Sequence, residues 1–148
     1  MFQVVIVCQL AAANYTLSVS ETVKSVYVIL SGKPIPSLLG GDGAFVDVRD
    51  VAALMVFAVN HPEIANQQRY IACGGWANGQ AIADILNNRY KDMNITVGSP
   101  GEGYEPGWVF KEGGVTIDSS KAVKATGREW IPFDRSVLDA AKYFEKLL

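Results

Sequence analysis

The sequence predicts an α/β domain, in which short apolar strands alternate with amphipathic helices. Residues 4–8 are mostly β-branched, which is typical of a buried parallel strand. Residues 23–30 place apolar side chains at the spacing i, i+3, i+4, i+7 of one helical stripe. A glycine-rich turn at residues 40–43 then leads into a second short strand and an apolar helix. These three observations favour the α/β class.

The first predicted helix has sequence signals at both ends. Ser18 and Glu21 have the spacing of a capping box, in which each side chain accepts a hydrogen bond from the other residue's backbone N–H. Gly32 is expected to end the helix, because glycine readily adopts the left-handed conformation of a C-terminal cap. Pro34 then prevents the helix from resuming.

The segment at residues 40–52 is the centre of the sequence. Its three glycines supply the positive φ angles of a tight turn, and Phe45 and Val46 suit a strand. Asp47 is predicted to cap the following helix by accepting hydrogen bonds from its first free N–H groups. Asp50 is expected to bond back to the Asp47 N–H and to suit the positive end of the helix.

That helix is predicted to be buried on more than one side. Between residues 48 and 59 only Arg49 and Asp50 are charged, and a helix that is apolar on nearly every face is normally covered by neighbours. His61 is expected to end it, since a residue before proline avoids the α region. Asp47 and Asp50 also resemble a catalytic carboxylate pair, but helix capping accounts for both.

A short strand is predicted at residues 69–72, and Asn78 is expected to cap a further helix. Its inward side chains are predicted to be Ile82, Ile85, Leu86 and Tyr90. Residues 94–114 are rich in glycine and proline and lack a period, which predicts a mobile loop. Its Tyr104 and Trp108 either cover the core or form a wall of a substrate site.

The C-terminal part is predicted to contain two helices. Asp118 is expected to cap the first, which ends near Gly127, and Asp134 is expected to cap the second. The inward stripe of the second helix comprises Val137, Leu138, Ala141, Phe144 and Leu148. With 148 residues and no internal repeat, the chain is predicted to form a single domain over residues 1–148.

Composition and charge argue against several classes of protein. The net charge is −2 and no basic run occurs, which argues against nucleic-acid binding. One histidine and the absence of a Cys-x-x-Cys pair argue against a structural zinc site. No apolar run has the roughly 18 residues that a membrane span needs. Cys8 and Cys73 are predicted to be free, buried thiols rather than a disulfide.

The expected location is the cytoplasm, and the alternative is secretion. Residues 2–13 are mostly apolar and end in three alanines, like a signal peptide, and Asn14 and Asn94 begin formal glycosylation sequons. No basic residue precedes the apolar run, which favours the cytoplasm.

Residues 45–52, Phe-Val-Asp-Val-Arg-Asp-Val-Ala, resemble the hallmark of the later half of extended short-chain dehydrogenases/reductases. The nearest branch holds dihydroflavonol and cinnamoyl-CoA reductases and fungal aldehyde/ketone and methylglyoxal reductases. Residues 30–36, 69–74, 80–86, 117–122 and 127–133 resemble further parts of the same family, in the same order. The resemblance implies an incomplete Rossmann-like fold, with the last strands of the nucleotide-binding domain and a small substrate-binding lobe.

The family reduces carbonyl compounds with hydride from a nicotinamide cofactor. The resemblance therefore implies NADP(H) or NAD(H) as cofactor and a small carbonyl compound as substrate. Asn14 and Tyr15 resemble the loop that lies along the nicotinamide in the family. The residues expected on the substrate side are Phe45, Val46, Tyr104 and Trp108.

Two signatures of the family do not occur in these 148 residues. No G-x-x-G-x-x-G or G-x-G-x-x-G turn is present, and the glycines at residues 40–43 lead into a strand rather than into a helix. None of the six tyrosines is followed four residues later by lysine, so the Tyr-x-x-x-Lys pair that protonates the alkoxide is lacking. No catalytic residue and no metal site is predicted.

We therefore expect an incomplete reductase, from truncation or a split gene, that supplies the substrate-binding lobe and is inactive alone. It is not expected to bind the dinucleotide tightly. The alternative is a stand-alone module that binds a small molecule or a protein. Residues 4–7 and 48–59 are too apolar to face water, which predicts self-association or binding of a partner chain.

Overall fold

The computed structural model describes residues 21–33, 43–100 and 117–148. The helices and strands within them are α1 (Glu21–Leu30), β1 (Gly43–Phe45), α2 (Val48–Asn60), α3 (Pro62–Ala65), β2 (Gly75–Ala77), α4 (Gly79–Arg89), α5 (Ser120–Thr126) and α6 (Phe133–Phe144). A 3₁₀ turn, Glu145–Leu147, follows α6. None of the helices in these ranges is long and apolar enough to cross a membrane. The predicted strand at residues 4–8 and the capping residue Ser18 lie outside the described residues.

β1 and β2 form an antiparallel pair in which Phe45 lies opposite Gly75. The Gly74 backbone N–H donates to the Phe45 carbonyl at 2.7 Å. Gly75 has a φ of 149°, and a Cβ built on it would lie 2.9 Å from the Phe45 ring. This position therefore requires glycine, for its backbone conformation and for the close approach of the ring.

The strand predicted at residues 69–72 is reduced to a single β-bridge at Ala72, and the next strand, β2, starts at Gly75. Tyr70 and Ala72 are nevertheless buried, and they pack in the same cluster as Val51 and Leu54 of α2. Tyr70 and Ala72 are buried and Arg69 and Ile71 are exposed, as in a strand, but the pairing of this segment is limited to one bridge.

α1, α4 and α6 pack together and form the larger of two hydrophobic clusters, here called the three-helix cluster. Its centre contains Ile29, Leu86 and Phe144, whose side chains are fully buried. Phe45 of β1 joins this cluster through Phe133, with the ring centroids 4.7 Å apart. The β1–β2 pair is therefore anchored to the helices by an aromatic contact.

A smaller cluster, here called the α2 cluster, forms beneath α2 and α5. Its buried residues are Val46, Val51, Leu54, Tyr70, Ala72 and Ala122. The prediction that α2 is buried on more than one side is wrong for the described residues, since Met55, Val56 and Val59 are exposed. The expected exposure of apolar surface is confirmed.

Most helix ends follow the sequence signals. α1 ends before Gly32, whose φ is 71°, and the Asn78 side chain accepts a hydrogen bond from the first turn of α4 at 2.9 Å. Gly127 is the left-handed C-cap of α5. The prediction for Asp134 is wrong, because the N-cap of α6 is Pro132 and Asp134 lies within the first turn.

Three further expectations concern single residues. The predicted cap of α5 at Asp118 is wrong by one residue, because the N-cap is Ser119. Asp118 Oδ1 still accepts from the Ser120 backbone N–H, the first of the helix, at 2.9 Å. Leu148 is exposed rather than buried, because the 3₁₀ turn after α6 changes the helical periodicity. Cys73 is a free, buried thiol as predicted, and Cys8 lies outside the described residues.

Candidate functional site

The junction between β1 and α2 is the candidate site, because it contains the motif at residues 45–52 and a buried polar network. Asp47 is the N-cap of α2, as predicted, and its Oδ1 accepts from the Arg49 backbone N–H at 2.8 Å. Its backbone is extended, with φ −71° and ψ 138°, as an N-cap requires. Only 1% of its surface is exposed.

Arg49 and Ser136 complete the surroundings of the Asp47 carboxylate. Arg49 Nε donates to Oδ1 at 2.9 Å, and Arg49 Nη2 donates to Oδ2 at 2.7 Å. Ser136 Oγ, on α6, also donates to Oδ2. Arg49 Nη1 donates in turn to Asp139 Oδ2 at 2.7 Å. This charge-assisted network ties the start of α2 to α6.

Asp50 lies in the first turn of α2, but it does not complete a capping box. Its Oδ2 accepts from the Ile131 backbone N–H, 81 residues away in sequence, at 2.8 Å. The expected return bond to the Asp47 N–H is replaced by a bond to the segment that leads into α6. Both carboxylates therefore join α2 to the C-terminal part of the chain.

The surroundings shift the pKa values of the two carboxyl groups in opposite directions. Burial tends to raise the pKa of Asp47, but the hydrogen bonds from Arg49 and Ser136 outweigh it, and the pKa lies below its ordinary value. Burial raises the pKa of Asp50, and the bond from Ile131 offsets only part of that rise. Asp47 is thus ionised at neutral pH, and its oxygens accept four hydrogen bonds. That arrangement leaves it no free lone pair to act as a general base.

Phe45 and Val46, which were predicted to contact substrate, lie in the core of the described structure. Their exposed fractions are 4% and 0%. The cavity beside them, also lined by Phe133 and Val137, has a volume of about 10 Å³. A space of this size holds one water at most. Contact of these two side chains with substrate stays a prediction.

The described residues do not fit the pyrophosphate of a dinucleotide. Strands precede the N-termini of α2 and α4, but the Asp47 carboxylate already occupies the first of these and the Asn78 side chain occupies the second. Gly74 and Gly75 could allow a close backbone approach, yet the Phe45 ring fills the space beside them. The described part of the chain thus offers no glycine turn of the kind that cradles a pyrophosphate.

Four predicted site residues, Asn14, Tyr15, Tyr104 and Trp108, lie outside the described residues. Within the described ranges, no group of three or more His, Cys, Asp or Glu residues could hold a metal ion. Sequence reasoning missed the roles of Arg49, Ser136 and Asp139. A signal was available, because Arg49 stands between two aspartates and Ser136 occupies a position of the inward stripe of α6.

No family model matches the sequence. The NADPH-dependent methylglyoxal reductase GRE2 of Saccharomyces cerevisiae is 31% identical over 128 residues, which are 85% of this chain and 35% of that protein. The uncharacterized oxidoreductase YDR541C of the same yeast is 33% identical over 99 residues, 66% of this chain and 27% of that protein. The chain therefore spans about a third of the length of the curated relatives that it matches.

Solved structures agree with the sequence relatives. The structure of Gre2 from Candida albicans in complex with NADPH matches with a TM-score of 0.77 and 27% identity, over 95% of this chain and 41% of that one. Yeast methylglyoxal/isovaleraldehyde reductase Gre2 complexed with NADPH matches with a TM-score of 0.66 and 28% identity, over 83% of this chain and 38% of that one. The chain thus belongs to the extended short-chain dehydrogenases/reductases, and its architecture corresponds to part of the fold of the Gre2-type reductases.

Proposed function

We propose that this chain supplies the substrate-binding lobe of an NADPH-dependent carbonyl reductase and does not catalyse the reduction alone. The observation that carries the proposal is the similarity to methylglyoxal reductase over 85% of the chain. The relatives are named for methylglyoxal and isovaleraldehyde, which are both small aldehydes. The proposed substrates are therefore small aldehydes and ketones, and the proposed cofactor is NADP(H).

Two features of the residues support inactivity of the chain alone. No tyrosine is followed four residues later by lysine, so the proton donor of the family is lacking. The N-termini of α2 and α4 each already hold the side chain of their own N-cap residue, where a pyrophosphate would have to bind. Without cofactor and proton donor, the remaining groups cannot supply the roughly 8 kcal/mol of barrier lowering of even a modest enzyme.

The proposed roles of the site residues follow from the proposal that this chain supplies the substrate-binding lobe. Tyr104 and Trp108 are proposed to contact the substrate, and Asn14 and Tyr15 are proposed to approach the nicotinamide. Phe45 and Val46 are proposed to act from beneath, by holding the β1–α2 junction in one position, because both are buried. A junction fixed by packing and by the Asp47 network suits a site that must position a small substrate.

A replacement experiment tests the lobe directly. The matched region of the S. cerevisiae methylglyoxal reductase is exchanged for this chain, and NADPH oxidation is followed with methylglyoxal and with isovaleraldehyde at about 1 mM. We expect turnover, and we expect Trp108→Ala to change the ratio of kcat/KM between the two aldehydes. Ile71→Ala, at an exposed position, should leave that ratio unchanged.

The isolated chain provides the second half of the test. Titration with NADPH, followed by fluorescence, should show no saturable binding, and no NADPH should be oxidised in the presence of either aldehyde. Turnover by the isolated chain would contradict the proposal. A folded, NADPH-binding chimera without turnover would also contradict it and would favour a stand-alone binding module.

A further inference from the structure

α2 carries an exposed apolar stripe that the substrate lobe does not use. Ala52, Met55, Val56 and Val59 follow the spacing i, i+3, i+4, i+7 of one helix face. The three larger side chains are 53%, 59% and 78% exposed, and α2 contains no charged residue after Asp50. Contiguous apolar surface of this kind usually marks an interaction site.

α2 cannot bury this stripe by rotating. Its opposite face is already filled, because Val51 and Leu54 are buried in the α2 cluster. Its first turn is also fixed, because Asp47 and Asp50 bond to groups in or before α6. A rotation would expose the buried leucine and valine and break both polar links. With the described residues in these positions, the stripe stays exposed and is available to a further polypeptide.

We propose that this stripe, Ala52, Met55, Val56 and Val59, is the docking surface for a polypeptide that supplies the cofactor-binding portion of an extended short-chain reductase. The inference rests on the proposed function and names the partner of the same lobe. The homologous Candida structure is much longer, since the match covers only 41% of its chain. The glycine turn that binds a dinucleotide does not occur in these 148 residues, so in the proposed reductase it lies on the cofactor-binding portion.

The size of the stripe favours this partner over a second copy of the same chain. α2 has 13 residues and is roughly 20 Å long, so that two such helices bury little area against each other. Stable interfaces bury about 1,200 Å² or more in total. A larger partner can reach that area by also contacting Ile64 of α3, which is exposed and apolar.

Co-expression tests the docking surface. The full chain is produced with an affinity-tagged portion of the S. cerevisiae methylglyoxal reductase, namely the part that this chain does not match, after that portion is shown to bind NADPH. The test variant combines Met55→Lys and Val59→Lys, which places charge on the stripe. The control combines Ile71→Lys and Val97→Lys, whose side chains are similarly exposed, at 47% and 53%, but lie outside α2.

We expect the wild type and the control to be captured equally and the test variant to be captured at least tenfold less. Absence of wild-type capture would overturn the partner, and equal capture of the test variant would overturn the surface. Two other outcomes would also overturn it. One is a wild-type dimer that the test variant converts to a monomer. The other is a lower unfolding midpoint of the isolated test variant than of the control, because the chain itself would then cover the stripe.

The capture assay is separate from the test of the proposed function. The chimera joins the two parts covalently, so its turnover does not depend on docking between separate chains. An active chimera without capture would contradict the docking surface alone. Capture together with a chimera that binds NADPH but turns over neither aldehyde would contradict the lobe function alone.

Discussion

The three-helix cluster and the α2 cluster are built from similar apolar side chains, but neighbouring elements cover them to different degrees. Among the described residues, the first contains 14 buried residues and the second contains six. In the first, α1, α4 and α6 cover one another, whereas α2 leaves one apolar face in water. The comparison shows that an apolar sequence indicates how much surface needs cover, but not which part of a protein provides it.

The largest expected effect is the loss of stability when a buried leucine in each cluster is replaced by alanine, and the loss should differ between the clusters. Leu86→Ala should lower the free energy of unfolding by about 4 kcal/mol, because the side chain is enclosed by three helices. Leu54→Ala should cost about 2 kcal/mol, since the half-covered α2 can relax into the space. Urea unfolding measures both values.

The control for this pair is Leu86→Met, which conserves volume and should cost less than about 1.5 kcal/mol. Equal losses for the two alanine variants would show that the α2 cluster is as rigid as the three-helix cluster. A larger loss for Leu54→Ala would reverse the comparison.

The second prediction concerns the link between α2 and α6. Asp47→Ala should destabilise the chain by about 2 to 3 kcal/mol, because it removes a cap worth about 1 kcal/mol and also the carboxylate to which the Arg49 and Ser136 side chains donate. Asp139→Ala is the control. It removes the exposed ion-pair partner of Arg49 and of Arg135 and should cost less than about 1 kcal/mol.

The outcome decides what Asp47 contributes. A loss near 1 kcal/mol in the urea midpoint analysis would assign it the cap alone. Equal losses for Asp47→Ala and Asp139→Ala would contradict the idea that the buried carboxylate organises the network.

The third prediction concerns the contact that anchors β1 and β2 to the three-helix cluster. Gly75→Ala should cost about 1 to 3 kcal/mol, because its φ of 149° disfavours a side chain and the new Cβ would meet the Phe45 ring. Gly127→Ala is a useful control. Its φ of 64° also disfavours a side chain, but nothing lies near its Cβ, so Gly127→Ala should cost less than Gly75→Ala.

Local features of this fold could be predicted from the sequence, whereas long-range ones could not. Asp47, Asn78 and Gly127 act within a few residues of their own position, and their cap roles follow from spacing alone. Asp50 was assigned to a local bond, but its partner Ile131 is 81 residues away. The exposure of Val59 likewise depends on which other elements reach α2.

The candidate site shows the same division. The aromatic character of Phe45 correctly indicated a strand, whereas Val46 lies just after β1. The burial of both depends on Phe133 and Val137 from the far end of the chain. Arg49 was noted as one of two charges on α2, and its role became visible only when α6 placed Ser136 and Asp139 beside the same motif. Periodicity finds the faces of elements, whereas tertiary contacts decide which faces meet.

The smallest expected effect compares the two carboxylates of α2 through their dependence on pH. The pKa of Asp50 is raised above 3.8 by burial, so its contribution to stability is present below that value and is lost as pH rises through the folded pKa. The pKa of Asp47 lies below 3.8 despite burial, because of the bonds from Arg49 and Ser136. Its contribution is present above 3.8 and is lost as pH falls through the folded pKa.

The difference in stability between variant and wild type should therefore change with pH in opposite directions for Asp50→Asn and Asp47→Asn. Relative to the wild type, Asp50→Asn should gain stability, by less than about 1 kcal/mol, as pH rises above 3.8, because the amide oxygen can still accept from Ile131 without a buried charge. Asp47→Asn should lose stability relative to the wild type as pH rises toward 3.8 from below. Urea midpoints between about pH 2.5 and pH 7 measure both slopes. Slopes of the same sign would mean that the two carboxylates share one environment, and the separate roles of the Arg49 network and of the Ile131 bond would then have to be given up.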